Sequence, residues 1–240
     1  MAIGRVIHES GTLFPDFDMF EINYELFETD WEMKFFLNIP HLTKADILEY
    51  FECYVAAFGT EEVYSAFFAD SPYKLNETLL ANDPQPNYIS EYIHIVGQLF
   101  LAGYIEFGMC GLQDKEENLL SNQKEDKYQA WIYFRDNFFY KNAYNRDMVE
   151  VREKYPNMSD DEYVYSTYDT PQYWDMYRFW VAQTPKGTKY FNEILAPRFY
   201  NKYKDLSVEI DEKGNIVRWI GAINRWGIKI HNKEKEDGDW

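Results

Sequence analysis

The spacing of apolar and polar positions changes several times along this chain, and each change marks an expected element. In residues 19–39, Phe20, Ile22, Tyr24 and Leu26 alternate with Glu21, Asn23 and Glu25, and Met33, Phe35, Leu37 and Ile39 alternate with Lys34 and Asn38. A period of two belongs to a half-buried strand, which predicts a hairpin turning near Thr29–Asp30. The stretch also has a helical reading, because Phe17, Phe20, Tyr24, Phe27 and Trp31 fall three or four residues apart. Both readings set a row of carboxylates beside a row of aromatic rings.

Pro40 ends that pattern. Thr43 is placed to cap a helix running through ADILEYFECYVAAF and stopping at Gly59. Thr60 caps a second, shorter helical stretch, EEVYSAFFAD, and a third helix is expected from Tyr88 to Ala102, ending at Gly103. Two strand-like runs follow, YIEFGM at 104–109 and QAWIYF at 129–134, joined by a polar loop. Three helices and then a two-stranded ribbon is the element order of a winged-helix unit, a statement about topology only.

Beyond it, KNAYNRDMVEVREKY reads as a helix ending before Pro156, and Ser159 caps a short segment. Thr170-Pro171 has the cap-then-proline form of a helix start, leading into QYWDMYRFWVAQ. A last helix is expected from Lys186 to Tyr203, kinked or split at Pro197. LSVEID, a turn at Glu212–Asn215 with Gly214 at the position needing positive φ, then IVRWIGAI and WGIKI, read as β structure. The expected fold class is therefore α+β: mostly helical, with an N-terminal β-hairpin, a winged-helix-like region and a C-terminal β-hairpin. The expected divisions are an acidic region at 1–140, a helical region with the C-terminal hairpin at 141–231, and a charged tail at 232–240.

Composition alters this picture in two ways. Aromatic residues make up 19% of the 240 positions, with 21 Tyr, 18 Phe and 7 Trp, so most rings are expected in the core, with some left over as interface anchors. The net charge is −17, and it is unevenly spread. Residues 1–70 hold 14 acidic and 3 basic side chains, whereas residues 141–240 hold 17 and 16. Seven carboxylates fall between Asp16 and Glu32 with no Lys or Arg among them.

That distribution argues against nucleic acid as a direct ligand. The expected third helix, ISEYIHIVGQLFLA, has no cation to meet phosphate or guanine, and the loop at 113–127 carries more acid than base. The chain has no GxxxxGK[ST] and no GxGxxG; Pro185-Lys186-Gly187-Thr188 only superficially suggests a phosphate loop, lacking the upstream glycine and an expected preceding strand. His8, His41, His94 and His231 are scattered, with no HExxH spacing, and Asp16-Phe17-Asp18 is a short and common pattern, so no metal site and no cofactor are expected. No GxSxG occurs, and Cys53 lies mid-helix among aromatics, where burial would raise its pKa instead of activating it. Cys53 and Cys110 have no CxxC spacing and are expected as reduced core thiols in a cytoplasmic chain. No stretch approaches the ~20 apolar residues of a membrane span.

The function expected from these features is non-enzymatic binding to a basic protein such as a nuclease, toxin or nucleic-acid-binding effector. The contact surface would be Asp16, Asp18, Glu21, Glu25, Glu28, Asp30, Trp31 and Glu32: carboxylates to steer a cationic groove, and rings to anchor it. Two alternatives stand beside it, a carboxylate-dependent hydrolase without short motifs and a phage or scaffold structural component.

Overall fold

The structure, a computed structural model, describes residues 2–6, 36–57, 63–64, 89–110, 117–140, 167–174, 178–211 and 216–225. In chain order its elements are β1 (Ala2–Arg5), α1 (Lys44–Ala56), β2 (Val63–Tyr64), α2 (Ile89–Leu101), β3 (Ile105–Met109), a 3-10 turn (Leu120–Asn122) and α3 (Lys127–Phe134). A π-turn (Arg135–Phe139), a second 3-10 turn (Pro171–Tyr173), β4 (Phe179–Gln183) and α4 (Pro185–Tyr190) follow. The series closes with a π-turn (Phe191–Leu195), α5 (Ala196–Tyr203), β5 (Ser207–Ile210) and β6 (Ile216–Ile220). The fold is α+β. The chain divides into two compact units, Phe27–Ile194 and the combination of Met1–Leu26 with Leu195–Trp240.

In the Phe27–Ile194 unit, α1 begins as its sequence dictates. Thr43 and Asp46 form a capping box: the Asp46 carboxylate accepts from the Thr43 backbone N–H at 2.7 Å, and the Asp46 N–H donates back to the Thr43 hydroxyl. α2 turns Tyr92, Ile93, Val96, Leu99 and Phe100 inward, the spacing of one helical face. It stops in a Schellman motif: Gly103 sits at φ +76°, its N–H donating to the Phe100 carbonyl, while the Tyr104 N–H donates to that of Leu99.

β4 lies between β2 and β3, both antiparallel to it, with Ile105 opposite Gln183 and Met109 opposite Phe179. Against this sheet packs a cluster of rings: Phe107, Phe134, Phe138, Trp174 and Phe179, each at most 2% exposed. Phe134 is its hub, 4.7 Å from Phe179, 4.9 Å from Phe138 and 5.0 Å from Phe107 between centroids. Edge-to-face and offset contacts of this kind contribute about 0.5–1.5 kcal/mol each beyond the area they bury. Much of the aromatic richness is thus core.

Four expected elements are replaced here. QAWIYF is not a ribbon strand but α3, capped by the Asp126 side chain, which accepts from the Gln129 N–H at 2.8 Å. A short apolar run has no period that separates strand from buried helix, and the cap decides it. The helix expected from Thr170-Pro171 shrinks to one 3-10 turn, and FWVAQ at its far end is β4. Val63 and Tyr64, expected in a helix, pair with β4. β3 accordingly finds its partner at 179–183 and not at 129–134, so the winged-helix order does not hold. Phe36 and Leu37, expected in a strand, are helical, and 38–41 form a turn. The expected hairpin turn at Thr29–Asp30 lies outside the described residues.

The second unit has a simpler construction. β5 lies between β1 and β6, both antiparallel to it, and the expected C-terminal pair of strands is present with a register shift at Glu209/Ile210. Val6, Val208 and Ile210 point to one face and are buried, as are Leu195, Ala196, Phe199 and Tyr203 at helical spacing. Glu209 and Arg218, cross-strand neighbours, form an ion pair on the other face. The interruption expected at Pro197 is the π-turn just before it, where the ring has no N–H to give to the preceding turn. The turn at 212–215 and WGIKI lie outside the described residues.

Candidate functional site

All eight residues of the expected contact surface, Asp16, Asp18, Glu21, Glu25, Glu28, Asp30, Trp31 and Glu32, lie outside the described residues. Several cations among the described residues have close neighbours. Lys44 is bound to Glu91 at 2.6 Å and holds that carboxyl below its ordinary range. Arg135 is bound to Asp136 at 2.8 Å and lies over the Tyr140 ring. Lys124 sits 3.9 Å over the Tyr133 ring, and Lys186 donates to the Ala102 carbonyl while lying over Tyr104. Arg218 is engaged by Glu209. Each of these cations has a carboxylate, a carbonyl or a ring as a close neighbour.

A polar cluster surrounds β3, which the sequence marks only as a strand. The Asn118 side chain binds Met109 as a neighbouring strand would, its Oδ1 accepting from the Met109 N–H at 2.5 Å and its Nδ2 donating to the Met109 carbonyl at 2.6 Å. Beside it, Gly108 and Leu119 form an antiparallel bridge. The Tyr168 hydroxyl donates to the Asn118 carbonyl at 2.5 Å. Burial first, and the nearby Glu106 charge second, hold that hydroxyl protonated well above the usual tyrosine range.

Glu106 completes the cluster. Its Oε1 accepts from the Phe107 N–H at 3.2 Å and the Ser121 N–H at 3.4 Å, and its Oε2 lies 3.9 Å from the Lys127 ammonium. Burial pushes its pKa above the ordinary 4.5. A raised carboxyl beside a lysine is an arrangement general acids use. Here both oxygens face protein groups that tie β3 to the following turn and to α3, which is a clamp. The one sequence signal for it was a glutamate inside the otherwise apolar run YIEFGM.

The segment resembling a phosphate loop does follow a strand, β4, contrary to expectation, but it has a packing role. Thr184 caps α4, its hydroxyl accepting from the Gly187 N–H at 3.1 Å, and Pro185 occupies the first turn. Gly187 is glycine because a Cβ there would run into the Tyr104 carbonyl. Cys53 is buried and Cys110 half-buried, both as thiols. Among the described residues no group of three or more His, Cys, Asp or Glu side chains could hold a metal ion, and no helix is long and apolar enough to cross a membrane. No family model matches the chain, and no curated protein or solved structure shows significant similarity to it.

Proposed function

We propose that this chain is a non-enzymatic acidic binding protein that inhibits a basic, nucleic-acid-handling partner by occupying its cationic site. Two settings fit: the immunity partner of a nuclease-type toxin, and a nucleic-acid mimic made by a phage against a defence complex. One observation carries the reading, the seven carboxylates from Asp16 to Glu32 uninterrupted by any cation. A surface of that sign steers towards a positively charged groove and accelerates encounter. Trp31 and the neighbouring phenylalanines would supply the desolvated anchors that hold the complex.

The test is association with a candidate nuclease, measured at rising ionic strength and with Glu21, Glu25 and Glu28 each changed to Lys. Binding should weaken steeply with salt, and the triple variant should lose at least about tenfold, a change worth about 1.4 kcal/mol. Affinity unchanged by the triple reversal would sink the proposal.

A further inference from the structure

We draw no further inference here: the strongest candidate, the surface patch of exposed Tyr128 and Tyr140 rings near Arg135 on α3 and the π-turn after it, has the ring-and-guanidinium make-up of an interface anchor, but nothing in the structure shows what covers it.

Discussion

The two small sheets reach the same strand count by different means. In the unit containing the C-terminus, β5 and β6 are near neighbours in the chain, and the core is mostly aliphatic, with Val6, Val208 and Ile210 on one face of the strands. In the Phe27–Ile194 unit, β3 and β4 pair across a long intervening segment, Met109 with Phe179. Closing a long loop costs entropy before any contact forms. β1 likewise pairs with β5 across most of the chain, Ala2 with Ile210, so each sheet closes a long loop, and the difference lies in the side chains around the pairing. Ring contacts converge on Phe134, and the Asn118 side chain stands in for a strand at the edge of β3. Both sheets thus hold a distant pairing; rings and a side-chain stand-in surround the one between β3 and β4, whereas β5 also has a local partner in β6.

The largest effect that would test this contrast is at the ring hub. Phe134→Ala should cost about 3–5 kcal/mol by urea unfolding, with amide protection lost in β3 and β4 and retained in β5 and β6. Protection lost in all four strands together would mean that the two units unfold as one and that the contrast has no energetic content. Asn118→Ala comes next. It leaves the Met109 N–H and carbonyl without their side-chain partner, at about 1–3 kcal/mol for each group left unpaired. A loss below about 0.5 kcal/mol would show that water replaces the side chain and that the edge of β3 needs no stand-in. The smallest effect is expected from Val208→Ala in the sheet of β1, β5 and β6, about 1–2 kcal/mol for two deleted methyl groups and the space they leave. Its loss of protection should be confined to β1, β5 and β6, the mirror image of Phe134→Ala.

Local signals in the chain located the elements that depend on neighbours alone. The Thr43 cap, the halt of α2 at Gly103 and the strands flanking 212–215 are present as their residues indicated, because a cap, a positive-φ glycine and a period of two each act within a few positions. The interruption near Pro197 belongs with them. The α+β class and the concentration of acid in the first 70 residues were also legible, the latter by counting alone.

What only the tertiary structure decided is the pairing of β3 with β4, and with it the helical state of 129–134, the strand state of 179–183 and the clamp formed by Glu106. QAWIYF and FWVAQ are apolar runs of similar character, and nothing inside either says which will find a strand partner. The choice depends on which segment can lie antiparallel to Ile105–Met109 while the rings of the other close over Phe107. Glu106 was visible as an acid in an apolar run. Its neighbours Ser121 and Lys127 come from other parts of the chain and meet it only when that packing is complete. Charge can be summed along a sequence; a pKa depends on what folding brings within a few ångströms.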